Sequence, residues 1–410
     1  GRLHPGLFLS LPGRPMRVIL LILPAIVLAQ LAGTSLWFGA NAVLPQLERE
    51  LELSAASVSL LLSTVNAGFI VGTLCFALLM IADRFSPQRV FVASAGLAAA
   101  FNLLPLLPGA GITTLFVSRL AVGFFLAGIY PVGMKIAASW TQGGLGAALG
   151  FLVGALMLGT ALPHAVAGIG GHLPWRETLL NLSLIALAGG AIMLLLVPDG
   201  PFLRSSGPVS LGMLSAIWRD PAVRASAFGY FGHMFELYAM LAAVPIIIAT
   251  YLHTNMTPAV SLFSAIVIGS GAIGCVVGGL LARRHGSAAV AFFQLAVSGV
   301  CCLLTPLAFL APWWLFGAWL LVWGITVGGD SPQFSALTAS NSPPEAVGSI
   351  LTLVNSVGFA ISVVTIAGTT WAISVFGPQY VLPVLVIGPV FGLLALRPLL
   401  GDQLKMRATP

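Results

Sequence analysis

Charge is what this 410-residue chain has least of. Lys and Arg number 17 and Asp and Glu 11, so only 7% of the chain is charged. A soluble domain carries about 25%. With 58% of residues hydrophobic and a mean hydropathy of +1.04, a soluble enzyme, a disordered chain and a coiled coil are all excluded. The net charge of +6 does not indicate nucleic acid, because the cations are dispersed and form no basic patch. Cysteine is also scarce. Cys75, Cys275, Cys301 and Cys302 each fall in an apolar run, and without C-x-x-C or His-x-His spacing they indicate packing residues rather than zinc ligands or a disulfide framework. No cofactor is expected. The chain also lacks G-x-S-x-G, H-E-x-x-H and a Walker lysine motif, which argues against a hydrolase, an ATP-driven pump or any other enzyme.

Long apolar runs are what it has in abundance. A run of about 20 residues crosses the hydrocarbon core as a helix. Twelve such runs are expected, at about 17–44, 56–81, 88–107, 113–134, 145–168, 178–197, 222–251, 258–282, 287–310, 313–332, 347–376 and 379–400. The 47 Gly and 27 Pro fit helices in a bilayer, where Gly permits close packing and Pro permits kinks. The longest polar break, 198–221, divides the chain into six-helix halves at 16–197 and 222–400, with 401–410 as a tail. Residues 1–15 lack the length and cleavage pattern of a signal peptide. They read as a solvated tail or an upstream extension before Met16. An N-terminus inside places fourteen of the 17 cations on cytoplasmic ends, leaving Arg49 and Arg176 outside and Arg119 within a span. The positive-inside rule therefore predicts a multi-pass cell-membrane protein with both termini cytoplasmic.

The halves repeat each other. Shifting the chain by 200 residues sets Val43-Leu44-Pro45 on Ala243-Val244-Pro245 and Ile81-Ala82-Asp83-Arg84 on Leu281-Ala282-Arg283-Arg284. A shift of 201 pairs Gly123 with Gly324, Gly128 with Gly329 and Pro131 with Pro332. Ordered matches at a near-constant offset are the mark of an internal duplication.

These residues resemble the major facilitator superfamily of secondary transporters, whose two six-helix halves share a cytoplasmic turn of pattern G-x-L-A-D-R-x-G-R. The second half carries Gly279-Leu280-Leu281-Ala282-Arg283-Arg284-His285-Gly286, with Arg283 in the acid's place. The first half keeps Ile81-Ala82-Asp83-Arg84, with Leu79 replacing the first glycine. Arg119-Leu120-Ala121-Val122-Gly123 is similar to the family's fourth-helix R-x-x-x-G, and Trp175-Arg176 resembles its entry to helix 6. On the fifth helix Gly150, Gly159 and Pro163-His164 fit the antiporter spacing, except that the proline comes one place early. The resemblance implies an all-α membrane fold of twelve helices in two pseudo-symmetric bundles. It also implies a charge clamp at the repeated turns, formed by Asp83 and Arg84 and by Arg283 and Arg284. Asp330, placed by its position before Ser331-Pro332 near the cytoplasmic end, is read as a mimic of Asp83. A topology-setting turn is the plainer account.

Ionisable groups inside a span are costly and mark function by default. Glu236 lies about 14 residues into the seventh span, roughly 21 Å along it at 1.5 Å per residue. His233 and Tyr230 precede it at three-residue steps, and with Met240 they suggest one cavity wall and a proton relay; a structural hydrogen-bonded pair is the alternative. Arg119 could anchor an anionic substrate, pair with Glu236, or bond to backbone carbonyls. Gln30, Thr34, Trp37 and Asn41 share a face of the first span, as do Trp319, Trp323, Thr326 and Asp330 of the tenth, with Trp319 assigned towards the outer interface. In the family, helices 1, 4, 7 and 10 line the cavity. The substrate-binding candidates are therefore Arg119, Gln30, Trp37, Asn41, Tyr130, Tyr230 and Trp323, and the proton-coupling candidates are Glu236 and His233. His164 reads as a gate or a group near outer water, Asn355 as a packing residue, and His172, His253 and His285 as loop residues. The function expected is proton-coupled transport of a small solute by a monomer working through alternating access. Arg119 and His233 favour an organic anion. Efflux of a drug-like or lipophilic cation held by Glu236 and aromatic rings is the alternative.

Overall fold

The computed structural model describes residues 16–140, 145–170, 173–203, 218–343 and 346–408, with side chains omitted for 16–20, 145–147 and 401–408. The expected tail at 1–15, most of the linker at 198–221, and His172 lie outside the described residues. Among the described residues the bundle is built on twelve main helices: α1 (Met16–Thr34), α2 (Ala55–Leu78), α3 (Pro87–Asn102), α4 (Ile112–Leu126, resumed as Tyr130–Ala138), α5 (Leu145–Ile169) and α6 (Trp175–Leu196) in the first half. The second half has α7 (Pro221–Tyr251), α8 (Pro258–His285), α9 (Ser287–Ala308), α10 (Trp313–Gly329, resumed as Ser331–Asn341), α11 (Val347–Phe376) and α12 (Ile387–Ala408).

Local chemistry sets the ends and breaks. Asp220 caps α7 by accepting from Ala222 N at 2.8 Å and Val223 N at 3.2 Å, with Pro221 in the first turn, where its missing N–H costs nothing. Thr257 and Pro258 open α8 in the same way. α4 breaks through tight i→i+3 turns at Ala127, Gly128 and Ile129 just before Pro131, and α10 is interrupted at Asp330 just before Pro332. Proline removes a helical N–H and crowds the preceding turn, so the duplicated proline yields a duplicated break. The first span is shorter than its apolar run: α1 stops at Thr34, residues 35–38 turn, and Gly39–Ala42 and Leu44–Leu51 follow as short helices.

The halves are packed on one plan. α2 lies on α4, α1 on α6 and α5, and α3 on α4 and α6; correspondingly, α8 lies on α10, α7 on α12 and α11, and α9 on α10 and α12. Glycine permits the closest of these approaches. A Cβ on Gly123 would lie 2.0 Å from Val65 O, and one on its counterpart Gly324 would lie 2.4 Å from Val267 O. Lipid offers no hydrophobic drive between helices, so such close contact supplies much of the attraction. The halves meet along α5–α8 and α2–α11, while leucines such as Leu195 and Leu310 face outwards.

Candidate functional site

A small internal cavity of about 20 Å³ lies where the halves meet, room for roughly one water. Tyr130 from α4, Tyr230 and Tyr238 from α7, Ser331 from α10 and Phe359 from α11 line it, and no lining side chain carries a formal charge. A larger cavity of about 370 Å³ shares Ser335 and Asn355 with it and reaches Asp83 and Lys135. These two residues sit near the face where α1 begins. Asn355 thus borders both cavities rather than serving only in packing.

An aromatic layer bounds the central cavity, with Tyr238 and Phe359 in its wall and Phe69 in the wall of the larger one. Trp37 stacks on Tyr238 with centroids 5.6 Å apart and planes at 15°, and Phe69 meets Trp37 at 4.9 Å and Phe359 at 4.5 Å. Asn66 ties the layer across the halves. Its Oδ1 accepts from Trp37 Nε1 at 2.9 Å, and its Nδ2 donates to Ser362 Oγ at 2.9 Å.

The ionisable groups of α7 diverge from the expected stripe. Tyr230 reaches the cavity, but His233 lies behind Ser331, and Glu236 faces α9 and α10 inside its own half. Helix geometry explains this. At 3.6 residues per turn, each three-residue step drifts by about 60°, so two steps rotate a side chain well off the starting face. Four-residue steps drift less, and Met234 and Tyr238 follow Tyr230 into the cavity. Glu236 Oε1 accepts from Ser298 Oγ, from Trp323 Nε1 at 2.6 Å and from Cys302 Sγ at 3.2 Å. Its buried Oε2 has no partner.

Asp330 ends the first segment of α10 but is paired inside the bundle rather than at the repeated turn. It is fully buried, with Oδ1 2.9 Å from His233 Nδ1. That separation suits an ion pair, although neither carboxylate oxygen receives an aligned hydrogen bond. His233 Nε2 lies 3.1 Å from Ser331 Oγ. The pair therefore meets the cavity through one hydroxyl.

Arg119 is likewise outside the cavity. Its guanidinium donates to Asn102 Oδ1 and, at 3.3 Å, to Leu36 O. It sits beside Gly39, whose missing side chain leaves it room. Among the described residues no ion pair joins Arg119 to Glu236, so of the three readings the carbonyl-bonded one matches the geometry. Gln30 is fully buried and donates to Tyr130 O at 3.5 Å, bracing the break in α4. Asn41 is buried on the short helix Gly39–Ala42, with Nδ2 unpartnered. Trp323 serves Glu236, and Trp37 belongs to the aromatic layer. Trp319 is buried rather than interfacial and donates to Cys301 O at 3.0 Å. His164 is also buried, away from outer water.

At the repeated turns Asp83 pairs with Lys135 at 2.6 Å, and Lys135 also donates to Ala82 O at 3.0 Å. Arg84, Arg283 and Arg284 are exposed. Across the bundle, Glu50 binds Arg176 at 2.5 Å and accepts from Trp175 Nε1 at 2.5 Å. The hydrogen bond from Arg176, then that from Trp175, hold its carboxyl below the usual range.

Sequence reasoning missed Asn66, Asn102, Lys135, Ser298, Cys302 and Ser331 as partners. Each acts across helices, where spacing along one helix carries no signal. Tyr238 was within reach, two four-residue steps beyond Tyr230.

A family description, Major Facilitator Superfamily, matches residues 26–366. No curated protein matches the chain.

Proposed function

Because the chain belongs to the Major Facilitator Superfamily and is therefore a secondary transporter of the multi-pass membrane class, we propose that it couples solute movement to protons by alternating access about the central cavity. The observation carrying this reading is the group of buried ionisable side chains in the second half. Glu236 has an unpartnered oxygen, and the His233–Asp330 pair contacts the cavity through Ser331. An ionisable group kept in a span at such cost is best explained by a charge that changes during the cycle. Both termini are cytoplasmic on this reading, which makes the larger cavity open inwards and Asp83–Lys135 part of an inner gate. The cavity is built within one chain, so a monomer suffices.

The solute class follows from the cavity walls. The organic-anion reading rested on Arg119, which is engaged elsewhere, and on His233, which meets the cavity only through Ser331. Three tyrosine rings and no lining charge favour a ring-bearing lipophilic cation held by aromatic faces alone. Glu236, which the second reading made its partner, faces α9 and α10 instead. The cavity of about 20 Å³ widens during the cycle to admit the solute. Proteoliposomes with and without a pH gradient, assayed with aromatic cations and anions beside Glu236→Gln and His233→Gln, test both points. Gradient-dependent cation movement that both variants weaken is expected. The same gradient dependence in both variants would reject the proton assignment, and anion movement alone would restore the first reading.

A further inference from the structure

Ser331 stands where a titratable pair meets the cavity. Its Oγ is 3.1 Å from His233 Nε2, and the residue lines the cavity. A serine hydroxyl has one proton to donate and lone pairs to accept with, whereas an imidazole nitrogen changes between donor and acceptor with its protonation. Two arrangements follow. When the His233–Asp330 pair holds an extra proton, Nε2–H donates to Ser331 Oγ and the serine proton turns towards the cavity. When that proton is absent, the ring keeps its hydrogen on Nδ1 beside Asp330, Nε2 accepts from Ser331, and the cavity meets only serine lone pairs.

We propose, building on the proton-coupled reading above, that Ser331 presents the protonation state of His233 to the cavity as hydrogen-bond polarity, so that a ring-bearing ammonium solute binds the neutral-histidine form and expels one proton. The steps balance. The Nε2 proton passes to Ser331 Oγ while the serine's own proton leaves to cavity water. The new O–H then turns back to Nε2, and the solute N–H donates to Oγ. One solute enters, one proton departs, and the solute keeps all its bonds. The solute's positive charge adds to the effect by disfavouring an imidazolium nearby. The released proton has a route through the larger cavity, which shares Ser335 and Asn355 with the central one. Ser331 is thus a positioning residue that sets the sense of exchange.

The other titratable groups around the pair are Tyr230 and Glu236 on α7, Cys275 on α8, Cys302 on α9 and Tyr130 on α4. α11 carries none. Of these, Tyr230 and Tyr130 line the cavity.

Binding of benzylammonium and benzyltrimethylammonium to the purified full chain in nanodiscs, followed by calorimetry between about pH 5 and pH 8, tests the assignment. The two cations share a ring and a charge, but only the first donates hydrogen bonds. Benzylammonium is expected to bind about tenfold more tightly at the upper end of that range, with about one proton released per solute. In Ser331→Ala its pH dependence should fall to that of the trimethyl analogue, with the melting temperature unchanged, and Ser331→Thr should restore it. If Ser331→Ala retains the full dependence, or removes it equally for both cations, Ser331 has no such role. That result would leave proton coupling standing. Binding of both cations independent of pH in the parent chain would reject proton coupling itself, and no binding of either would reject the cation reading and this proposal together.

Discussion

In the first half, a buried guanidinium is held by Asn102 of α3 and the carbonyl of Leu36. In the second half, 200 residues after Leu36, Glu236 is held by Ser298 and Cys302 of α9 and by Trp323 of α10. The helices around the two charges are packed alike, yet their chemistry diverges. Asn102 is itself tied down, donating to Leu179 O at 2.9 Å and Ser183 Oγ at 2.9 Å, and arginine does not give up its proton in proteins. That site is a strut. Glu236 and Asp330 have oxygens free of aligned partners. On the proposed function, that site is the switch. Duplication supplied one scaffold, and the sign and mobility of the buried charge gave its copies separate work.

The largest effect should come from breaking the shared packing plan. Gly123→Leu and Gly324→Leu each drive a side chain into a backbone carbonyl, and a loss of about 3 kcal/mol is expected for each, read as a fall in melting temperature and in monodisperse protein. Tolerance at one site alone would show that the halves are not packed equivalently. Next, Arg119→Leu leaves the buried Asn102 Oδ1 unpaired, while Leu36 O keeps its bond from Gly39 N, which should cost about 1–3 kcal/mol at every pH tested. Glu236→Gln keeps the shape and should fold normally while blunting the pH dependence of transport. If Arg119→Leu instead melts like the parent and alters pH dependence, the contrast between strut and switch is wrong.

A smaller effect is expected at Asn66. Asn66→Ala removes its bonds to Trp37 and Ser362 and should weaken closure of the aromatic side by about 1–2 kcal/mol. Spin labels at Glu52 and His253 should report longer distances; an unchanged distribution would remove Asn66 from the closing layer. The smallest effect is expected at Glu50. Its folded-state pKa is depressed, so its contribution is present above the ordinary carboxylate range and is lost as pH falls through the folded value. Glu50→Gln should lower the melting temperature slightly at neutral pH and converge with the parent in acid. A difference that grows in acid would contradict the assignment.

The breaks in α4 and α10 were not expected, although Pro131 and Pro332, used only as marks of the duplication, act locally through the backbone and could have signalled them. The stop of α1 at Thr34 was not legible, because residues 35–38 continue an apolar run and hydropathy does not register a turn. Glu236 was legible as a buried charge, since a carboxylate stands out among apolar residues. Its facing was not legible. The same holds for Asp330, which the sequence offered as a counterpart of Asp83 and which folding set beside His233.

The sequence by itself determined the solvent, the number of spans, the duplication and the short set of buried charges that any mechanism must use. Tertiary structure alone decided that Arg119 turns into its own half, that Glu236 points away from the cavity and that Ser331 links His233 to it. In lipid a helix is apolar on both its protein-facing and its bilayer-facing sides, so hydropathy cannot orient it about its axis. Only the packing of its neighbours sets that rotation, and the rotation assigns each polar side chain its partner.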